Sequence, residues 1–176
     1  PKTVVRHLSQ THNLVLLSGD QTAVTRSVAK NLGIKTWAAE QTPADKIAKI
    51  NAMADIGNKV LMVGDGLNDA PALKAAHVSM SPASAADISQ TAADFVFQGA
   101  HLGAVADTIE TATRSRRLVF QNFGLALGYN LIAVPLAVMG FVTPLIAAVA
   151  MSSSSLIVTL NALRLGLKSR TLPWTR

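Results

Sequence analysis

A short apolar run near the middle of the sequence leads into the residues best suited to chemistry. Residues 60–63 form the run, and the loop after it holds Gly64, Asp65, Gly66, Asn68 and Asp69. A continuous apolar run predicts a strand that is buried on both faces of a parallel sheet. Carboxylates at the carboxyl end of such a strand lie where open α/β sheets bind ligands. Their hard oxygens suit Mg2+, which binds few protein ligands and shares a phosphate.

A helix is predicted directly behind this acidic loop. Asp69 is a good N-cap residue, Pro71 suits the first helical turn, and residues 70–76 are helical in composition. The alternative is a hairpin turn at Asp65, because Asp-Gly is a strong turn signal. A hairpin needs a second alternating strand, and none follows the loop. The glycines at 64 and 66 then permit a tight turn where a side chain would clash.

Two further segments could contact a phosphate. Ser18, Gly19 and Asp20 end a predicted strand and offer a hydroxyl and backbone N–H groups to an anion. Lys46 lies in the first turns of a predicted helix and can place a cation beside the same anion. Each feature is weak alone, because most lysines face solvent and Ser-Gly-Asp is an ordinary turn.

The elements that must position these residues alternate along the chain. We predict strands at 14–17, 35–39, 60–63, 78–80 and 95–97, and helices at 3–10, 22–32, 43–56 and 84–91. Gly33 and Gly57 close two of the helices, and the helix at 43–56 has an apolar face made of Ile47, Ile50, Met53 and Ala54. Alternation of this kind predicts an α/β fold with a parallel, doubly wound sheet.

The composition of the 176 residues excludes several classes of protein. Hydrophobic residues reach 49% and charged residues only 15%, which is too apolar for a wholly soluble domain, and the excess lies after Arg117. The net charge of +6 comes with no basic run interleaved with aromatic residues, so we expect no nucleic-acid partner. The chain contains no cysteine, so it alone can form neither a disulfide nor a thiolate metal site.

Two charge-free apolar stretches predict an α-helical transmembrane hairpin. Residues 118–138 and 144–163 are each long enough to cross a bilayer of ordinary thickness, with a short break at 140–143. Basic residues stand only at the outer ends of the pair: Arg114, Arg116, Arg117, Arg164, Lys168 and Arg170. This asymmetry predicts that both ends are cytoplasmic. The alternative is a buried hairpin of a soluble protein.

Few polar or soft side chains interrupt these stretches. Tyr129 and Met151 lie at similar distances from the basic ends, so they should be found at similar depth. A thioether, a phenol and neutral oxygens suit a soft monovalent ion, whereas Zn2+ or Ca2+ would be expected to bring a carboxylate. From composition alone, the preferred interpretation is that residues 152–155 are small packing residues and that Met151 is apolar filler.

Residues 60–73, VLMVGDGLNDAPAL, resemble the GDGxNDxPAL motif of the P-type ATPases, a branch of the haloacid dehalogenase superfamily. The segment Ser18–Gly19–Asp20 is similar to the family's TGD loop, with serine for threonine, and Lys46 is similar to its phosphate-binding lysine. The resemblance implies that Asp65 holds Mg2+ and that Asn68 and Asp69 orient an acyl phosphate and stabilise the loop. It also implies that Lys46 and Ser18 neutralise phosphoryl oxygens.

The membrane half resembles the monovalent-copper branch of the heavy-metal P-type ATPases. Tyr129-Asn130 and Met151-x-x-Ser154-Ser155 look like that branch's paired YN and MxxSS motifs, and residues 161–165 look like the end of the heavy-metal group. The resemblance implies that Tyr129, Asn130, Met151 and Ser155 form part of a Cu+ path. The sequence of residues 81–87 is similar to a segment of pumps that supply copper for oxidase assembly.

The resemblance as a whole implies the C-terminal part of a copper(I) export pump. We expect residues 1–113 to form the C-terminal part of the cytoplasmic phosphorylation domain, with a partial sheet of the haloacid dehalogenase type. Residues 114–165 are expected in the membrane, and 166–176 in a basic cytoplasmic tail. The family's phosphorylated aspartate lies in a DKTGT motif, which does not occur here. ATP would bind a domain outside this chain, so the 176 residues alone should be inactive.

The expected surroundings follow from the same resemblance. They are a multi-pass location in a bacterial inner or plasma membrane, the preceding portion of the same pump, and a copper chaperone or acceptor. Three alternatives stay open from the residues: a non-catalytic truncated membrane fragment, a soluble phosphatase of the haloacid dehalogenase type, and a pump for another heavy metal.

Overall fold

The computed structural model describes residues 2–65, 67–85, 87–98 and 102–167, without the side chains of Leu67 and Leu167. It divides into two compact units, Pro1–Ala106 and Asp107–Arg176. Several sequence predictions extend to positions outside the described residues: the glycine at 66, the segment 81–87 and the helix 84–91 at residue 86, and the C-terminal tail 166–176 from residue 168 onward, with Lys168 and Arg170.

The first unit alternates helices and short strands. Its elements are α1 (Lys2–Leu8), β1 (Val15–Leu17), α2 (Thr22–Leu32), β2 (Thr36–Ala38), α3 (Pro43–Asp55), β3 (Leu61–Val63), a 3-10 turn (Leu67–Asp69), α4 (Ala70–Ala75), β4 (Val78–Pro82), α5 (Asp87–Ala92) and β5 (Phe95–Phe97). The predicted bounds of α2 and β5 match residue for residue. Helix α5 begins three residues later than predicted, because residues 83–85 form a turn.

All strand pairs are parallel, as the sequence predicts, but the five strands form two sheets in the described part of the chain. Strand β1 pairs with β2, and a second sheet has the order β3-β4-β5. Strand β3 has a single neighbour in its sheet, and its three residues are only half-buried. The expected burial of β3 on both faces is therefore wrong.

The core of this unit lies around α3, α4 and β4. Leu73 of α4, Met80 of β4 and Ile50 of α3 are each 1% exposed. The predicted apolar face of α3 is confirmed, since Ile47, Met53 and Ala54 are half-buried beside Ile50. Gly33 and Gly57 follow α2 and α3 with positive φ angles of 77° and 88°, which a residue with a side chain adopts at a cost.

The second unit is built from two long helices. Helix α6 (Gly103–Val138) begins in the first unit and continues without a break through the first apolar stretch. Gly140 lies in the turn after α6 and has a positive φ of 80°. Helix α7 (Pro144–Leu167) begins at the predicted proline. Thr143 caps α7, because its Oγ1 accepts a hydrogen bond from the N–H of Ile146 at 3.3 Å.

Both helices are long and apolar enough to cross a membrane, and neither apolar stretch is buried in protein. A helix of a soluble core would cover such a surface with neighbouring elements. The two exposed apolar helices fit a transmembrane hairpin.

Candidate active site

The closest contact among the predicted site residues joins Lys46 and Asp69. The Nζ atom of Lys46 lies 2.5 Å from Oδ1 of Asp69, and the two side chains are only 11% and 13% exposed. Lys46 comes from α3 and Asp69 from the turn after β3, so this ion pair links the two elements that carry the predicted phosphate and metal groups. A charge pair this sheltered from water is stronger than an exposed one.

The prediction that Asp69 caps α4 is wrong in its mechanism. Asp69 does precede α4, but its side chain makes no capping hydrogen bond. Its backbone has helical angles, φ −89° and ψ −15°, whereas a capping residue is normally extended. The carboxylate therefore forms the ion pair with Lys46 and does not cap the start of α4.

Gly64 is required by the approach of this carboxylate. A Cβ atom added to Gly64 would lie 2.9 Å from Cβ and 3.0 Å from Oδ2 of Asp69, closer than side chains pack. The clash that the sequence predicts at this position is confirmed, and Asp69 is the residue that causes it. The glycine thus lets the strand end directly against Asp69.

Asp65 and Asn68 are exposed on the same loop. No group of three or more His, Cys, Asp or Glu residues that could hold a metal occurs among the described residues. An Mg2+ ion at Asp65 would complete its shell with water and phosphate oxygens. That arrangement fits the ion, which keeps several waters and uses one or two carboxylates.

The loop of Ser18, Gly19 and Asp20 is ordered by its own hydrogen bonds. The Ser18 hydroxyl donates to Oδ2 of Asp20 at 3.0 Å and accepts from the Asp20 N–H at 3.2 Å. The Gln41 N–H donates to the Ser18 carbonyl at 3.0 Å. Residue 41 lies just before α3, so the segment that begins the lysine helix is also bonded to this loop.

Hydrogen bonds across the second unit fix the register of α6 and α7. Asn161 Nδ2 donates to Oδ1 of Asn122 at 2.8 Å and to Oε1 of Gln121 at 3.4 Å, both on α6. Tyr129 lies seven residues after Asn122 on α6, and Ser154 lies seven residues before Asn161 on α7. Tyr129 and Met151 are then about 4.5 Å apart in depth, less than one helical turn.

The four residues of the predicted ion path do not converge within the hairpin. Tyr129 is half-buried, whereas Asn130 and Ser155 are exposed and Met151 is 70% exposed. Ser154 is half-buried, in line with a packing role for part of the serine run. The exposed members therefore stand on surfaces that the two helices leave uncovered.

Sequence reasoning missed three polar contacts that shape both units. Glu40 bonds to Thr22, Asp94 bonds to Ser79, and Asn161 bonds to Asn122. The Ser79 hydroxyl and N–H, each 2.8 Å from Oδ2 of Asp94, lower the pKa of that carboxyl. Hydrogen bonds from Thr42 likewise lower the pKa of Asp45, its partner in the capping box that begins α3. Only the capping box has a local sequence signal, a Thr followed three residues later by an acid.

A match to a known family model indicates the class of protein to which the first part of the chain is similar. Residues 2–77 match the family model of the haloacid dehalogenase-like hydrolases. This match covers α1 to α4, with the serine loop, Lys46 and the acidic loop.

Matches that cover most of the chain are more specific than this family model. The chain is 57% identical over 150 residues to the nitrogen fixation protein FixI of Rhizobium meliloti, covering 85% of this chain and 20% of the relative. It is 38% identical over 164 residues to the copper-exporting P-type ATPase of Bacillus subtilis, covering 93% of this chain and 20% of that protein. A crystal structure of a zinc-transporting PIB-type ATPase superposes with a TM-score of 0.86 at 31% identity, over 93% of this chain and 27% of the other.

The chain is therefore homologous to part of the copper-exporting and zinc-transporting P-type ATPases. It spans about a fifth of the length of the curated relatives it matches.

Proposed function

We propose that this chain is part of an ATP-driven copper(I) export pump that couples Mg2+-dependent phosphorylation of an aspartate to ion transport. The observation that carries the proposal is the sheltered contact between Lys46 and Asp69, 2.5 Å long, in a chain homologous to a copper-exporting P-type ATPase. It joins a cation for the phosphate to the loop that carries the proposed magnesium ligand.

In the proposed phosphoryl transfer, the residues of the first unit position groups and neutralise charge. Lys46 offers its ammonium to phosphoryl oxygens, and the Ser18 loop offers a hydroxyl and N–H groups. Asp69 holds the Lys46 ammonium in place, and Asn68 orients the phosphoryl group. Gly19 and Asp20 complete the loop, and the Ser18 hydroxyl would exchange its 3.0 Å bond to Asp20 for one to the phosphate when phosphate binds.

Asp65 is the proposed ligand of Mg2+. The ion would supply positive charge next to the phosphate, and Asp65 would hold it at the end of β3. The aspartate that receives the phosphate and the site that binds ATP are proposed to lie in other parts of the pump, because the 176 residues contain no DKTGT motif.

Helices α6 and α7 are proposed as two membrane spans of the pump, with residues 1–113 and the tail 166–176 in the cytoplasm. The support for this sidedness is the position of the basic residues at the outer ends of both apolar stretches. The lipid partner is then the bilayer of a bacterial inner or plasma membrane, and a copper chaperone or acceptor is the proposed soluble partner.

Cu+ is the proposed cargo, with Tyr129, Asn130, Met151 and Ser155 as one side of its path. Its support is the soft and neutral chemistry of these residues and the lack of any acid between positions 118 and 163. A zinc pump is the second candidate, because the superposed PIB-type structure is described as zinc-transporting. The exposed positions of Asn130, Met151 and Ser155 leave them available to other helices of the pump.

Metal-stimulated ATP hydrolysis by the complete pump separates these cargoes. With Cu+ as cargo, Met151→Ala should weaken activation by Cu+ by about tenfold or more, because the soft thioether is lost, while phosphorylation from inorganic phosphate persists. Met139→Ala is the matched control, since Met139 is also an exposed methionine, 60% accessible, but lies at the turn between the helices.

Stimulation of the wild type by Zn2+ and not by Cu+ would count against copper as the cargo. An equal loss of Cu+ activation in the Met139→Ala control would count against the assignment of Met151, because that residue would then have no special part in the path.

A further inference from the structure

Glu40 has a backbone conformation that its residue type disfavours. Its φ angle is +54°, and it is the one non-glycine residue with positive φ in the described part of the chain. Left-handed geometry strains a residue with a Cβ atom and persists only where its surroundings hold it. A glycine would satisfy the backbone here without strain, so the side chain must contribute something a glycine cannot.

The Glu40 carboxylate is bound to the first residue of α2. Its Oε1 accepts hydrogen bonds from the Thr22 N–H at 3.2 Å and from the Thr22 hydroxyl at 3.0 Å. The local N-cap residue, Gln21, makes no side-chain capping bond. A residue from the next loop therefore caps α2, and it places a negative charge where the helix dipole favours one.

The backbone around Glu40 holds the serine loop. The Glu40 N–H donates to the Asp20 carbonyl at 2.9 Å, and the Gln41 N–H donates to the Ser18 carbonyl at 3.0 Å. The Ser18 N–H in turn donates to the Ala38 carbonyl at 3.0 Å. These bonds leave little freedom for the loop between β1 and α2.

The same segment leads directly into the helix of Lys46. Thr42 begins α3 through its capping box with Asp45, and Lys46 follows on the next residue, one turn inside the helix. The stretch from residue 38 to residue 42 thus connects the Ser18 loop to the lysine by an ordered path of a few residues.

We propose that Glu40 is a positioning residue for the phosphate site: its carboxylate pins the start of α2, and its strained backbone holds the Ser18 loop in register with Lys46. This inference rests on the proposed phosphoryl transfer. Glu40 itself touches no reacting atom, and it acts through the loop.

A purely structural cap would stabilise the domain without affecting phosphate binding. Asp94 supplies a matched control, because its carboxylate also accepts two bonds from the N–H and hydroxyl of one residue, Ser79. Asp94→Ala removes an equivalent pair of bonds from a part of the fold with no proposed role in the reaction.

The test is phosphorylation of the complete pump by labelled inorganic phosphate and Mg2+. Glu40→Ala and Glu40→Gly should raise the phosphate concentration for half-maximal labelling about tenfold, the scale of one lost helix cap. Glu40→Gln should stay within about twofold, because its amide oxygen can accept both bonds. Glu40→Gly also relieves the backbone strain, so it guards against failure of the alanine variant to fold.

A second readout is hydrogen exchange of the backbone at residues 18–25, which should become faster in Glu40→Ala and not in Asp94→Ala. The inference is overturned if wild type and Glu40→Ala respond to the same phosphate concentration, or if Asp94→Ala shifts the curve as far. If the wild type accepts no phosphate but Glu40→Ala still speeds exchange, the proposed function fails while the contact between Glu40 and the loop stands.

Discussion

Gly64 and Asp69 lie so close together that one added methyl group would disturb the acidic loop. A Cβ atom on Gly64 would contact Asp69 at 2.9 Å, and the contact is with the start of the side chain, which cannot move away easily. Gly64→Ala should therefore lower the free energy of unfolding by about 2 kcal/mol, as overpacking does, and should weaken the pair between Lys46 and Asp69.

Thermal unfolding of the complete protein in detergent measures this effect. Gly19→Ala is the control, because its added Cβ would meet the Gln41 carbonyl at 3.4 Å, an ordinary contact distance. Equal unfolding temperatures for Gly64→Ala and the wild type would show that the loop adapts, contrary to the geometry described above.

The carboxyl of Asp94 makes stability depend on pH. Hydrogen bonds from the Ser79 hydroxyl and N–H lower its pKa below the ordinary value of 3.8 in the folded state. A lowered folded pKa contributes stability above the unfolded pKa, and the contribution is lost as pH falls through the folded pKa. Asp94→Asn should be less stable than the wild type at neutral pH and should lose less stability on acidification.

Unfolding midpoints from about pH 5 down to about pH 2 would record the difference between the two proteins. A variant with the wild-type slope over this range would mean that Asp94 does not titrate differently in the folded state. Asp45 has the same direction of shift through Thr42, so the residual pH dependence of the variant is expected to come partly from that group.

At the scale of helices and strands, periodicity and capping residues carried most of the information. Gly33 and Gly57 marked helix ends, and Pro144 marked the start of α7, because each has a local physical cause. The left-handed backbone of Glu40 could not be predicted, because nothing local favours it in a glutamate. The pairing of Lys46 with Asp69 joins residues 23 apart, and the predicted cap at Asp69 failed because that long-range contact took its carboxylate.

The two long helices are linked by a polar contact whose strength can be measured. Asn161 and Asn122 form a 2.8 Å hydrogen bond between α7 and α6. Such bonds between membrane helices contribute about 0.6 kcal/mol on average. A double-mutant cycle with Asn122→Ala and Asn161→Ala, followed by unfolding in detergent, should give a coupling energy of that size.

The control for this cycle pairs Asn161→Ala with Asn130→Ala. Asn130 is an exposed asparagine on the same helix as Asn122, eight residues further along. Strictly additive effects for Asn122 and Asn161 would show that the bond does not fix the register of the hairpin, and the depth match of Tyr129 with Ser154 would lose its support.

The whole chain combines a haloacid dehalogenase-like α/β unit with two apolar helices, and it matches part of much longer relatives. The division into units falls within α6, after Ala106, so one helix belongs to both units. The sequence predicted the parallel α/β class and the two apolar helices. It did not predict the separation of the strands into two sheets, since the pairing of edge strands depends on neighbours that lie far away in sequence.

Formation of a phosphoenzyme from γ-labelled ATP tests the central claim most directly. The complete pump, with Mg2+ and Cu+, should form an acid-stable product that hydroxylamine releases. Asp65→Asn should fold but lose most of the label, because the amide keeps the shape of the carboxylate without the charge that Mg2+ needs. Residues 1–176 alone should take up none, because covalent catalysis fails without its nucleophile. Normal labelling of Asp65→Asn, or hydroxylamine-sensitive label on residues 1–176, would contradict the roles assigned here.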